Sequence, residues 1–240
     1  MLTIILAEAE LELVPESIKM HRQVQSAARN RDQRASRSIL DSSLHHDAMR
    51  ALPESDRRGR PDIVHFALLL ALDSALNKAD KLRIVVHTRH DERIAIHPDT
   101  RLMRHYTRFI GLMESLFRDG GVPRHDPLLV HEPGWTLQRI LEHHATGPIV
   151  CFSEKGSPIE PGTWMASKVA QNEDVTIVLG CFPHGDFHQS PESFANEVVG
   201  LGGESLSVWT VEAEIIAHYE RAVKLFPRPP LATPEPPAQG

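Results

Sequence analysis

The stretch "TIVLGCFPHGDF", residues 176–187, decides the fold. Thr176 to Leu179 is β-branched and apolar, the signature of a buried strand. The strand stops at Gly180, and a short turn holding Pro183 and His184 runs to Gly185. Two glycines bracketing a turn at a strand end allow backbone to approach another group closely. In open α/β sheets ligands bind beyond the carboxyl ends of strands, so the turn reads as a ligand loop.

Working outward, "GPIVCFS" is a second short apolar strand, with a helix between it and "DVTIVLGCF"; "SVWTVEAEIIAHYERAVKLF" is a closing helix. "LTIILAEAELELVP" opens the chain as a strand whose second half alternates, Ala9 and Leu11 against Glu10 and Glu12. "RPDIVHFALLLALDSALN" reads as a helix, "KLRIVVHT" as a strand, "RHDE" as a turn and "RIAI" as a strand. "PDTRLMRHYTRFIGLMESLFRDGG" is a helix with a glycine stop, and "GWTLQRILEHH" another helix. Strands alternating with helices predict an α/β fold with a largely parallel sheet, and 240 residues allow one large domain or two small ones. Residues 17–56 are polar, with helical stretches, and read as an arm or appendage. Residues 227–240, "PRPPLATPEPPAQG", read as a disordered proline-rich tail.

The composition is that of an ordinary globular protein, 41% hydrophobic and 24% charged over 240 residues. With 26 Lys and Arg against 32 Asp and Glu, the net charge of −6 excludes a uniformly basic surface but not a local basic patch. Two cysteines, Cys151 and Cys181, each end an apolar run and do not make a disulfide framework. The longest apolar run, "IVHFALLLAL", is too short to span a bilayer, and Glu8, Glu10 and Glu12 interrupt any leader-like start. A cytoplasmic protein that does not engage membranes is expected.

Two basic spots stand out. With residues 98–117 taken as a helix, Leu102, Tyr106, Phe109, Met113 and Leu116 form one core-facing stripe. At about 100° per residue, Arg101, Arg104 and Arg108 then share one narrow flank beside it. No acid lies four residues from any of them, which suits a phosphate clamp, although a solvated helix face fits the same pattern. The second spot is "RRGRPDIVH", residues 57–65. Pro61 suits a first helical position and Asp62 a first turn, and Asp62 can hold Arg60 in one rotamer toward a phosphate or base. Concentrated basic spots on an acidic chain point to structured RNA read locally.

Of the 15 histidines, only "HGDFH" (His184, Asp186, His188) resembles a metal-ligand spacing, and no second cluster accompanies it; no metal is expected. His65, on the apolar helix, reads as a core histidine. The chain has no HExxH, GxSxG, Walker loop or GxGxxG, so a metalloprotease or a serine hydrolase lacks support.

"LAEAELELVP", "RRGRPDIVHFALL", "DTRLMRHYTRFIGLMESLF" and "LGCFPHGDF" occur in the order found in one family. Over residues 1–226 the chain resembles the small-subunit ribosomal RNA pseudouridine N1-methyltransferases, the ribosome-biogenesis family of the SPOUT class, in an archaeal-type form. The resemblance implies a SPOUT-type α/β knot, a parallel sheet whose C-terminal part forms a trefoil knot, in a homodimer. It implies S-adenosylmethionine as cofactor and a pseudouridine-containing hairpin of small-subunit rRNA as substrate, with other ribosome assembly factors as further partners. The RNA-binding residues so implied are Arg60, Asp62, Arg101, Arg104 and Arg108, with Asp62 fixing Arg60 and only a weak candidate for a catalytic base. The implied cofactor loops are Phe152 and Ser153; Gly180 to Gly185, where a side chain at either glycine would collide with the cofactor; and Leu201, Gly202, Gly203, Glu204, Ser205 and Leu206. Some relatives carry Asn-Tyr-Pro where this chain has Gly-Glu-Ser, so backbone contacts carry over there rather than side-chain ones. The competing reading is an RNA-binding assembly factor with little or no catalysis.

Overall fold

A computed structural model describes residues 1–202 and 205–226; Gly203, Glu204 and the proline-rich tail lie outside the described residues. In chain order the elements are β1 (Leu2–Ala9), α1 (Arg22–Asn30), α2 (Ser42–Met49), α3 (Pro61–Asp73), α4 (Ala75–Lys78), β2 (Leu82–Thr88) and β3 (Glu92–Ile96). Then follow α5 (Tyr106–Asp119), β4 (Gly121–Val122), β5 (Leu129–Pro133), α6 (Leu137–His144), β6 (Ile149–Pro158), α7 (Pro161–Gln171), β7 (Val175–Gly180), β8 (Glu197–Gly200) and α8 (Val208–Ala222).

One sheet runs β4-β5-β3-β2-β1-β7-β6-β8. Its half from β2 to β8 is parallel, with Leu2 opposite Leu82 on one side and Val175 on the other. Its other half, β3 to β5, is antiparallel, so the expected parallel sheet is instead mixed. β1 lies near the middle and is buried on both faces, which explains its near-continuous apolar run. Alternate residues serve alternate faces: Ile4 and Leu6 pack with α3, α5 and α8, while Ile5 and Ala7 pack with Trp135, Ile140 and Leu141 at α6. Among the described residues no helix is long and apolar enough to cross a membrane.

The alternation assigned to residues 9–12 does not put glutamates in solvent. Glu8, Glu10 and Glu12 are all buried, because arginines from elsewhere meet them. The polar stretch 17–56 carries a small core of its own, Val24, Ala28, Leu40 and Met49 among its members. It is tied to α5 by Arg31, which donates two hydrogen bonds to buried Glu114 at 2.8 and 3.0 Å, and by Tyr106 Oη donating to Asp41 at 2.7 Å.

The helix read over residues 98–117 begins only at Tyr106. Upstream, Asn77 Nδ2 donates to the Pro98 carbonyl at 2.8 Å, Thr100 Oγ1 to Leu128 O at 3.2 Å, and the Met103 carbonyl bonds His65 Nε2 at 2.8 Å. These tertiary bonds occupy the backbone groups and hold 98–105 as a non-helical strap. Leu102 still packs on the core, but Arg101 and Arg104 stand on the strap and only Arg108 stands on α5.

Candidate active site

At the carboxyl ends of β6, β7 and β8 lies a crevice of about 620 Å³. Three separated stretches build it: Phe152 to Glu154, residues within Leu179 to Phe187, and Gly200 to Gly202 with residues within Ser205 to Val211, joined by Arg60 and Ile63 from the start of α3. It therefore brings together Phe152, Ser153, Gly180, Gly185, Leu201, Gly202, Ser205 and Leu206 with Arg60; Gly203 and Glu204 lie outside the described residues. The volume is in the range of small-molecule and cofactor sites.

Arg60 and Asp62 form the bidentate pair that their spacing suggests. Arg60 Nε and Nη2 donate to the two Asp62 oxygens at 2.9 and 2.8 Å. These hydrogen bonds raise the Arg60 pKa further, so the guanidinium at the crevice rim stays charged. Asp62 also sits in the first turn of α3, where the helix dipole favours its charge.

Arg101, Arg104 and Arg108 are exposed, but none lines the crevice. Arg101 and Arg104 line a separate, larger groove between α3, α8 and the strap, with Phe66, Leu70, Trp209 and Phe226. Trp209 lines both cavities. Arg104 is not free of acids: Asp73, at the end of α3, stands 4.0 Å away.

The two bracketing glycines work differently from the sequence reading. A Cβ at Gly180 would meet Phe182 Cζ at 2.6 Å, a protein ring and not an open crevice. At Gly185 the nearest atom would be 3.8 Å away, and the constraint is instead its φ of +84°, which favours glycine.

The basic cluster at 57–60 divides. Arg57 and Arg58 are buried beneath the crevice, and only Arg60 reaches its rim. Arg57 donates to Glu8 and Glu10, Arg58 makes two bonds to Glu12 at 2.8 and 2.7 Å, and Arg89 donates to Glu10 at 2.6 Å. Burial pushes the Glu10 carboxyl up, against the pull of Arg89 and Arg57; at Glu12 burial is outweighed by hydrogen bonds from His90 and Arg58, and its pKa falls below the usual range. The signal for this network was present as three acids at alternate positions beside a buried strand, matched by an arginine pair before Pro61. Nothing local said that the two would meet.

His184, Asp186 and His188 do not converge on a metal site. Asp186 pairs with Lys155, and His188 lies 2.8 Å from Glu8 and 3.2 Å from Glu54. Both cysteines are buried, and burial pushes the Cys151 thiol up to about 12, which makes it inert as a nucleophile at neutral pH.

A mixed sheet with a crevice at the carboxyl ends of its parallel strands, rimmed by a clamped arginine, defines an α/β protein with a ligand-sized crevice where such sheets bind ligands. Residues 4–220 match the model of the EMG1/NEP1 methyltransferase family, and the chain belongs to that family. It is 47% identical over 225 residues to the ribosomal RNA small subunit methyltransferase Nep1 of Thermococcus kodakarensis, covering 94% of this chain and 100% of that protein. It is 44% identical over 223 residues to that of Methanothrix thermoacetophila, covering 93% and 97%. The crystal structure of Archaeoglobus fulgidus Nep1 bound to S-adenosylhomocysteine superposes with a TM-score of 0.80 at 35% identity, covering 92% of this chain and 98% of that one.

Proposed function

We propose that this protein transfers a methyl group from S-adenosylmethionine to N1 of a pseudouridine in small-subunit ribosomal RNA. The observation that carries the reading is one crevice assembled from three loops at the carboxyl strand ends, with Arg60 locked at its rim. Kinship to proteins named rRNA small subunit methyltransferases, one of them solved with S-adenosylhomocysteine, supplies the chemistry.

The residues fit that cofactor. Ile63, Phe152, Leu179, Leu206 and Val211 give apolar surface for a purine, and Glu154 adds a carboxylate to the lining, which suits a cationic sulfonium; the Asp186 carboxylate is paired with Lys155. Among the described residues the one guanidinium or ammonium in the lining is Arg60, already paired with Asp62. Phe152, Ser153, Gly180, Gly185, Leu201, Gly202, Ser205 and Leu206 would hold the cofactor, which when bound supplies an electrophilic methyl group. Gly203 and Glu204 belong to the same proposed loop.

Pseudouridine is joined to its sugar through carbon, so N1 carries a proton; transfer would replace N–H by N–CH3 as the S–CH3 bond breaks, the proton passing to water and the donor leaving as S-adenosylhomocysteine. Arg60 orients the extruded nucleotide through Nη1, the nitrogen that its pair with Asp62 does not use. Asp62 is paired twice to Arg60 and is therefore a weak base; its role is to hold that guanidinium. Arg101, Arg104 and Arg108 grip the flanking backbone and offset the few kcal/mol (~2–4) of unstacking.

Two further features belong to the proposal. Val199 of β8 pairs with both Phe152 and Ser157 of β6, so residues 153–156 loop around the end of β8, and Ile159 N donates to Gly200 O at 3.0 Å. That loop is where a C-terminal trefoil knot would be threaded. A second copy of the chain packing on the apolar part of the larger groove, Phe66, Leu70, Trp209 and Phe226, would form a homodimer and leave Arg101 and Arg104 at its charged margin for RNA.

The test is transfer of labelled methyl from S-adenosylmethionine to a short pseudouridine hairpin. Incorporation into this hairpin and not into its uridine counterpart is the expected result. Cofactor and hairpin binding with no transfer would leave an RNA-binding assembly factor instead.

A further inference from the structure

Arg57 lies outside the crevice lining, yet it is the residue on which the crevice loop 182–188 is mounted. Its three nitrogens go to three different places. Nε donates to Glu10 at 2.8 Å and Nη2 to Glu8 at 2.5 Å, Glu8 lying near the end of β1 and Glu10 just past it. Nη1 donates to the backbone carbonyl of Asp186, in the loop, at 2.5 Å. The guanidinium plane also covers the Phe182 ring, 3.7 Å from its centroid. Phe182 meets Phe187 edge-on at 5.4 Å, and Phe187 in turn meets Phe194. Glu8 adds a second tether: its carboxylate accepts the His188 backbone N–H at 2.9 Å. Phe182, Asp186 and Phe187 all line the crevice.

We propose that Arg57 is a positioning residue of the cofactor site: it fixes loop 182–188 to the end of β1 in the shape that receives S-adenosylmethionine. The proposal rests on reading the crevice as the cofactor site. A loop held in its receiving shape does not lose conformational freedom when ligand arrives, which is where preorganisation gains affinity. Only a planar fork can meet two carboxylates and a carbonyl while stacking on a ring, so lysine cannot substitute.

Two variants of the full chain test this. Arg57→Lys keeps the charge and removes the fork. Glu8→Gln keeps the shape but removes the charge and replaces one of the two acceptor oxygens by an NH2 donor, leaving one oxygen for both Arg57 Nη2 and the His188 N–H. The measurements are S-adenosylhomocysteine affinity by calorimetry, affinity for the pseudouridine hairpin without cofactor, and amide hydrogen exchange along the chain. Each variant is expected to weaken S-adenosylhomocysteine binding by about tenfold or more, ~1.4 kcal/mol. Hairpin affinity should stay within about twofold, and faster exchange should be confined to 182–188 and its neighbours. If wild type binds S-adenosylhomocysteine and both variants bind it equally well, the proposal falls alone. If both ligands are lost together and exchange rises over the whole sheet, Arg57 is merely structural and the proposal falls. If wild type does not bind S-adenosylhomocysteine, the reading of the crevice falls and takes the proposal with it. Should Arg57→Lys fail to fold, Glu8→Gln decides by the same criteria.

Discussion

Replacing Gly180 by alanine tests whether Phe182, rather than backbone geometry or ligand, forbids a side chain there. The new Cβ would lie 2.6 Å from Phe182 Cζ and 2.7 Å from Cε1, well inside the 3.4 Å at which ordinary contact begins. The ring cannot simply swing aside: Arg57 covers it at 3.7 Å and Phe187 abuts it edge-on. Overpacking of this kind costs about 1–3 kcal/mol. The clash has one owner, so removing the ring should remove the cost. In a Phe182→Ala background, Gly180→Ala should be within ~0.5 kcal/mol of neutral, because the next contact, Phe187 Cζ at 3.3 Å, is only slightly tight. Urea unfolding of wild type, the two single variants and the double variant gives the coupling energy directly. Gly185→Ala is the control. Its penalty of ~1–2 kcal/mol comes from a positive φ and should be the same with or without Phe182. A Gly180→Ala cost that persists unchanged without the ring would refute the steric argument.

Three other substitutions probe separate parts of the molecule. Asp62→Asn keeps the size of the side chain but removes its charge and one of the two acceptors that hold Arg60; hairpin affinity should fall about fivefold as Arg60 regains rotamer freedom, while thermal unfolding changes little because the pair is one-third exposed. His65→Phe keeps the stack on Phe109, at 4.3 Å, but drops the bond to the Met103 carbonyl that pins the arginine-bearing strap; fluorescence anisotropy should show weaker hairpin binding with S-adenosylhomocysteine affinity unchanged, at a stability cost of ~0.5–1.5 kcal/mol. Glu212, wholly buried on α8, has no hydrogen-bond partner for either carboxyl oxygen among the described residues, and burial pushes its pKa well above the ordinary 4.5. An acid whose pKa is higher folded than unfolded keeps its proton in the native state while the unfolded chain releases it, so stability falls as pH rises above 4.5. Glu212→Gln should remove that decline, and parallel melting curves for the two proteins from pH 5 to pH 8 would contradict the assignment.

The parallel half of the sheet was legible because its strands are buried on both faces and read as unbroken apolar runs: Leu2 to Leu6, Val175 to Leu179, Ile149 to Phe152. The edge strands were not. β4 is two residues long, β5 ends in Glu132 and Pro133, and β8 is four residues between loops, so none has enough pattern to separate it from a loop. The start of α5 was misplaced because 98–105 has a helical hydrophobic period but spends the Pro98 and Met103 carbonyls on Asn77 and His65 and the Thr100 hydroxyl on Leu128 O, partners that no local window sees. The crevice glycines were found, since strand-end glycines are visible in sequence; why each is glycine was not, because the answer lies in Phe182 and in a φ angle.

The division of labour within "RRGR" shows why charge runs resist local reading. Arg57, Arg58 and Arg60 have nearly the same neighbours, yet two are core residues and one faces the crevice. Gly59 makes the difference. Its φ of +67° turns the chain between the pair and Arg60, and a Cβ there would lie 2.9 Å from Met49 Cε and 3.0 Å from the Ser42 nitrogen, which itself donates to Gly59 O at 2.9 Å. The segment that sequence treats as a detachable arm thus closes over Gly59 and fixes the turn. Arg57 and Arg58 are directed to glutamates that would otherwise be buried unpaired at a cost of roughly 3–5 kcal/mol each. Arg60 emerges on the far side of the turn, its own backbone N–H donating to Glu10 O at 3.2 Å, already aligned for Asp62. The buried charge network and the crevice-facing arginine are therefore one construction, and the part of the chain least like a functional element by composition, residues 17–56, supplies the wall that shapes it.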